Sequence, residues 1–176
     1  MSAVGDSTTC YIASIIDTRR FRLVQALAIL MKGRDMVAIE WSAAHEIGLV
    51  PMDRMHREFV DLYNNLVHAD SADFLDRFND LIQHTLAHFD RENTWMERSG
   101  FPPSVIHRGE HERVLRLMHA ARDRIATGDV EFGREFGAQL PAWFEQHAAT
   151  MDAALAMHMR RARFEPDDDA AAAAAA

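Results

Sequence analysis

Apolar residues recur three and four apart along this chain, segment after segment, without a strand-like alternation. In MDRMHREFVDLYNNLVHAD they fall at Met52, Met55, Phe59, Leu62, Tyr63 and Leu66. That spacing lays one stripe along a helix. A striped helix must bury its stripe against another element, and with no strands on offer the partner is another helix. Pro51 and Asp53 suit the first turn of this helix, and the helical pattern starts at Ile39. Ser71 is expected to cap a second helix from Ala72 to about Arg98, with Asp73 near its positive end. Gly100, Pro102 and Pro103 end it. Ser104 is expected to cap a third helix, Val105 to Thr127, which stops at Gly128. A fourth runs from about Asp129 to Arg163, and Pro141 kinks it or marks its effective start.

Four long helices with short connections predict an all-α fold, an antiparallel up-down-up-down four-helix bundle with an N-terminal extension. The bundle is expected over residues 39–164. Residues 1–38 form the extension, which holds one short amphipathic run from Phe21 to Met31, and Met36 is an alternative start. Residues 165–176 carry Asp167 to Asp169 and seven alanines, a low-complexity tail. No internal repeat or second domain is evident.

The net charge of -8 argues against nucleic acid and anionic membrane surfaces as partners. Cys10 is the only cysteine, so neither a disulfide framework nor a thiolate metal site is available, and a reducing, cytoplasmic setting is expected. No run approaches the roughly 18 apolar residues of a membrane span. Arg19, Arg20 and Arg22 before Leu23 to Met31 loosely resemble a secretory leader. Gln25 interrupts that stretch, Lys32 and Arg34 close it, and no small-residue cleavage site follows.

Ten histidines in 176 residues are many, and five of them fall on the stripes. His88 and Glu92 are four apart on the second helix, and His107 and His111 four apart on the third. Positions four apart differ by only about 40° around the axis, so each pair can point into one cavity. His56 shares its face with Met52, Phe59 and Tyr63, and the fourth helix offers His147 and Asp152. A lone histidine on an apolar face is more often a satisfied core residue, and one His-x-x-x-Glu or His-x-x-x-His pair is a weak signal. His147 and Asp152, five apart, lie about 140° around an ideal helix, which does not by itself suggest a shared site. The conjunction on four successive helices carries the argument, because unpaired polar groups on core stripes are costly. Five imidazoles and two carboxylates are too many for one ion and suit two. Without sulfur the donors fit iron, zinc or manganese.

The pieces also come in a distinctive order: IEWSAAHEIGLVPMDRMH, then HFDRE, then SGFPPSVIHRGEH, then WFEQHAATMD. Together they resemble the hemerythrin family in its single-domain bacterial form, from Ile39 to about Asp152. The resemblance implies a non-haem centre of two iron ions. His107, His111 and His147 would bind one ion, which is coordinatively full. His56 and His88 would bind the other and leave one position open. Glu92 and Asp152 would bridge the two, together with a solvent-derived oxo or hydroxo oxygen. Phe89, Trp143 and Phe144 stand where the family lines its oxygen pocket, and Trp41 where it has a packing anchor. The chain departs from the family at Ala148, usually a bulky aliphatic, at Phe144, often leucine, at Asn93, where a second glutamate is common, and at Pro141. His45, His68, His84, His119 and His158 match no ligand position. His84, four before His88, can lie near the site, but a partly exposed structural role is expected for it.

The function implied is reversible binding of dioxygen for carriage, storage or delivery to an oxygen-using enzyme, with no catalytic residues. The alternatives are a di-iron redox enzyme acting on peroxide, nitric oxide or ferrous iron, an oxygen or redox sensor, and, ranked lower, iron donation for repair. Turnover favours more carboxylate ligands or a proton route, so five imidazoles to two carboxylates lean toward binding.

Overall fold

A computed structural model describes residues 35–166. The Phe21–Met31 run, Cys10, the leader-like arginines and the alanine tail lie outside the described residues. Helix α1 spans Val50–His68, α2 Phe74–Ser99, α3 Ser104–Ala126, α4 Val130–Gly137, α5 Leu140–His147 and α6 Ala153–Ala162. Between α5 and α6 the chain makes one π-helical turn, Ala148–Asp152. α5, the π turn and α6 form one continuous leg. With α1, α2 and α3 it makes a four-helix bundle, and no strand occurs among the described residues.

The helix ends follow local chemistry with some changes of player. Gly100 takes the left-handed conformation (φ 67°) that closes α2, and Phe101 N–H donates to Met96 O at 2.9 Å. Ser71 does not cap α2. The helix starts two residues later than expected, at Phe74, with Asp73 at its N-cap position and no side-chain cap bond, while Asp70 Oδ1 accepts from the amides of Ala72 and Asp73 in the turn ahead of it. Ser104 is the first residue of α3 and makes no cap bond. Pro141 sits in the first turn of α5, so the expected fourth helix is broken ahead of it, with α4 as a separate piece. α4 presses tightly on its neighbours: a Cβ at Gly133 would come within 2.6 Å of Ile125 Cγ1.

The helical pattern expected from Ile39 is overturned up to residue 49. That stretch is an extended strap with a single 3-10 turn, Ala43–His45, and the α-helix starts at Val50. Side chains satisfy its backbone. Ile39 N–H donates to Asn64 Oδ1 at 2.8 Å, and Asn64 Nδ2 donates back to Ile39 O at 2.9 Å. The amides of Ile47 and Gly48 donate to the Asp53 carboxylate, and Arg160 donates to the carbonyls of the same two residues. A strap pinned in this way needs no helix.

The core has two parts. A large phenylalanine-rich cluster includes Phe59, Phe74, Phe78, Phe132, Phe136 and Phe144. A smaller one holds Met52, Met55, Trp95, Met96, Phe101, Leu155 and Met159. Burying each such side chain contributes about 1.5–3 kcal/mol. On α1, α2 and the fourth leg, a buried histidine or carboxylate stands where one cluster gives way to the other. Thus His56 lies between Met55 and Phe59, Glu92 between Phe89 and Trp95, and His147 and Asp152 between Phe144 and Leu155. The two apolar clusters therefore hold a polar layer between them.

Candidate metal centre

His56, His88, Glu92, His107, His111, His147 and Asp152, all buried, converge in that layer. They divide into two overlapping groups. Ligand atoms of Glu92, His107, His111, His147 and Asp152 lie within 4.8 Å of one another, as do those of His56, His88 and Glu92. Each carboxylate faces both ways. Glu92 Oε1 is 2.9 Å from His88 Nε2, while Oε2 is 3.2 Å from His111 Nε2 and 3.4 Å from His107 Nε2. Asp152 Oδ2 is 3.0 Å from His56 Nε2, while Oδ1 is 3.1 Å from the Nε2 atoms of both His107 and His147.

The π turn makes this possible. Its hydrogen bonds close five residues apart, as in Ala153 N–H to Ala148 O, so residues five apart complete one turn. His147 and Asp152 therefore face the same side, although an ideal α-helix would set them about 140° apart. Thr150 Oγ1 donates to Gln146 O at 2.7 Å, satisfying a carbonyl at the entry to the turn.

The donor set fits metal. His147 Nε2 stands 3.2 Å from the Nε2 atoms of both His107 and His111. Three imidazole nitrogens cannot all hydrogen-bond one another, since a neutral ring has one donor and one acceptor. Neighbouring ligands of an ion bound at about 2.1 Å stand about 3 Å apart, close to the spacings seen. Glu92 Oε2 and Asp152 Oδ1 are likewise buried without a hydrogen-bond partner, as a ligand atom would be.

The electrostatics match a site that holds positive charge. Burial alone raises the Glu92 and Asp152 carboxyls. The histidines around them reverse this and hold both below the usual carboxylate range. For His107 burial lowers the pKa, but Asp152 and Glu92 win and raise it to about 9. His56 is raised by Asp152 against the same burial, whereas for His111 burial prevails and lowers it.

The aromatic residues differ in placement. Phe144 packs edge-on to His56 (5.3 Å between centroids, 88°) and stacks on Phe59. Phe89 lies flat on His111 (3.7 Å, 4°) and also touches His88. Trp143 stacks on His147 (5.0 Å, 21°), on the three-histidine side. Trp41 stacks on His45 and carries Arg57 over its ring.

Two features of the site escape sequence reasoning, the π turn, which has no composition signal, and Glu110. His84, four residues before His88, lies against it (6.0 Å) with 13% of its side chain exposed, a partly exposed residue beside the site. Glu110, one residue before His111, accepts a hydrogen bond from Trp143 Nε1 at 2.8 Å.

Comparison with known proteins places the chain by family and fold. Residues 48–159 match the family model described as the hemerythrin HHE cation binding domain. A bacteriohemerythrin of Ralstonia nicotianae is 43% identical over 117 residues, covering 66% of this chain and 85% of that protein. A bacteriohemerythrin of Pseudomonas aeruginosa is 29% identical over 122 residues, covering 67% and 79%. A crystal structure of wild-type hemerythrin superposes with a TM-score of 0.61 at 20% identity, covering 66% of this chain and 94% of that one, which shows the shared fold.

Proposed function

The chain belongs to the hemerythrin family, and from that premise we propose that it holds two iron ions in the polar layer and uses them to bind dioxygen reversibly. One observation carries the reading: both buried carboxylates offer one oxygen to a three-histidine group and the other to a two-histidine group. Residues 39–164 form the binding unit. His107, His111 and His147 would hold one ion and His56 and His88 the other, with Glu92 and Asp152 each offering one oxygen to either side. When bound there in the ferrous state, the two ions would supply the two electrons that a reversible carrier lends to dioxygen.

The rest is done by the chain. The two-histidine group brings fewer nitrogens, so room for an exogenous ligand is left on that side. Phe59, Phe144, Phe89 and Ala148 are buried there or beside it and keep water out. The buried Thr85 hydroxyl is committed to Leu81 O at 2.7 Å, and burial raises the Tyr63 hydroxyl to about 12, which keeps it a weak acid. His84 donates from Nε2 to Met55 O, and burial followed by the nearby His88 lowers its pKa to about 4, so it stays neutral. With the near neighbours apolar, engaged or neutral, a bound ligand meets no strong acid, which favours release over onward chemistry.

The test is an optical spectrum of the purified protein, reduced without air and then exposed to it, with iron quantified on the same sample. We expect two irons per chain and a visible band that appears with oxygen and fades when oxygen is removed. Two irons with immediate, irreversible oxidation would replace binding by redox catalysis. Absence of iron would remove the assignment.

A further inference from the structure

Histidines that bind metal through one nitrogen are usually aimed by a hydrogen bond from the other to a carboxylate or carbonyl. Here the Nε2 atoms converge, and the Nδ1 atoms of His56, His107, His111 and His147 are buried without a hydrogen-bond partner. Ring contacts take over the aiming: Phe89 lies flat on His111, Trp143 stacks on His147, Phe101 sits edge-on to His107 and Phe144 edge-on to His56. A phenyl ring can slide and rotate in its slot. Of the four only Trp143 is tethered, through Nε1–H to Glu110 Oε1 at 2.8 Å.

The tether is itself braced. Arg113 donates to both Glu110 oxygens, at 2.6 and 2.7 Å, the two-pronged geometry that fixes a carboxylate in orientation. Arg113 holds the Glu110 carboxyl below its ordinary pKa, and the hydrogen bond from Trp143 adds to this. Glu110 is 21% exposed and Arg113 49%, so the brace stands at the surface and reaches inward through the indole. Together with Gln146, Thr150 and Met151 these residues line a cavity of about 260 Å³ whose wall includes His147. Glu110 sits on α3 and Trp143 on α5, so the contact also ties the helix of His107 and His111 to that of His147.

We infer that Glu110 is a positioning residue of the metal centre, acting through Trp143 to hold the His147 ring against its ion. In place of a carboxylate bonded to the histidine, this chain uses a carboxylate bonded to the indole that lies on the histidine. The inference rests on the reading that His147 is a metal ligand.

The decisive experiment follows transfer of iron from the loaded protein to an excess of a strong chelator, in wild type, Glu110→Ala, Glu110→Gln, Trp143→Phe and the Glu110→Ala/Trp143→Phe double variant. Loss of a partner of this kind typically weakens metal binding by about 10–100-fold, and Glu110→Ala should release iron faster by a factor in that range. Glu110→Gln keeps an oxygen facing the indole and should stay near the wild-type rate. Trp143→Phe has no N–H to tether, so adding Glu110→Ala to it should change little, the non-additivity expected of residues acting in series. In the metal-free protein, Glu110→Ala should red-shift the tryptophan emission, whereas Glu110→Gln should not. A general loss of stability would not separate alanine from glutamine in this way. Equal rates for Glu110→Ala and wild type, or full additivity in the double variant, overturn the inference while leaving the iron assignment intact. A wild-type chain that takes up no iron overturns both.

Discussion

Two of the three imidazoles at the three-histidine end of the polar layer lie against ring faces, whereas the third, His107, and both imidazoles of the two-histidine end meet ring edges. Phe89 and Trp143 lie within 4° and 21° of parallel to His111 and His147, whereas Phe144 meets His56 at 88° and His84 meets His88 at 68°. A flat partner covers an imidazole and limits its tilt, while an edge leaves the face beside it in soft contact. The same carboxylates serve both ends, so the asymmetry comes from their surroundings. It is the physical basis for proposing a closed ion at one end and an accessible ion at the other.

The largest effect should come from removing what the two ends share. Glu92 presents one oxygen to each, so Glu92→Ala strips a donor from both, leaves His88 and His111 without their carboxylate and leaves His107 with Asp152 alone. Iron carried through gel filtration should fall from about two to below one per chain by elemental analysis. Retention of both ions would mean that the ends are independent and the carboxylate bridge is incidental.

The next effect separates the ends. The three-histidine group has five donor residues, counting Glu92 and Asp152, and the other has His56 and His88 with the same two carboxylates. His88→Ala should therefore lose one ion and keep the other, while His107→Ala, which removes a nitrogen facing both carboxylates, should lose more. If the two variants retain iron equally, the ranking of the ends is wrong. Elemental analysis again decides.

How far the sequence reaches into this comparison differs by residue. The bundle was legible because its stripes are long and periodic, and α2 and α3 begin and end within two residues of their expected bounds. The strap from Ile39 was misread as helical, since its backbone is held by Asn64, Asp53 and Arg160, all distant in sequence or carrying no strap signal. His88 with Glu92 and His107 with His111 were legible as pairs because a spacing of four puts both on one face. His147 and Asp152 were not, because the π turn that aligns them leaves no mark in composition, and only the family resemblance joined them. Glu110 carries ordinary helix-surface spacing, and nothing local distinguishes it from solvated neighbours, whereas the spacing of four between His84 and His88 made a place near the site legible.

A third prediction tests the soft wall. Phe144 is buried between Phe59 and His56 with Ala148 nearby. Phe144→Ala should destabilise the chain by about 3–5 kcal/mol in chemical denaturation. It should also admit water to the two-histidine end, so that the oxygenated form oxidises several-fold faster while iron content is unchanged. An unaltered oxidation rate would show that Phe144 packs the core without sealing the site.

The smallest effect concerns His84, which backs the two-histidine end and is lowered to about 4 from an ordinary 6.5, first by burial and then by His88. The Met55 carbonyl, the Glu58 carboxylate at 3.7 Å, His56 and Arg91 also act on it. Above about pH 7 neither folded nor unfolded chain protonates this ring, and it makes no pH-dependent contribution. As pH falls from 6.5 toward 4, the unfolded chain takes up a proton that the folded one refuses, so stability is lost. By pH 5 the loss is about 2 kcal/mol. His56 and His107 are raised and act in the opposite sense in the metal-free protein, so the informative quantity is the difference between wild type and His84→Gln, measured by denaturation in the same metal state. Glutamine keeps an N–H for the Met55 carbonyl and cannot titrate. The difference should be flat above pH 7 and move against wild type below 6.5. A difference that stays flat to pH 5 would mean that His84 protonates freely, and the two-histidine end would then have an acid beside it after all.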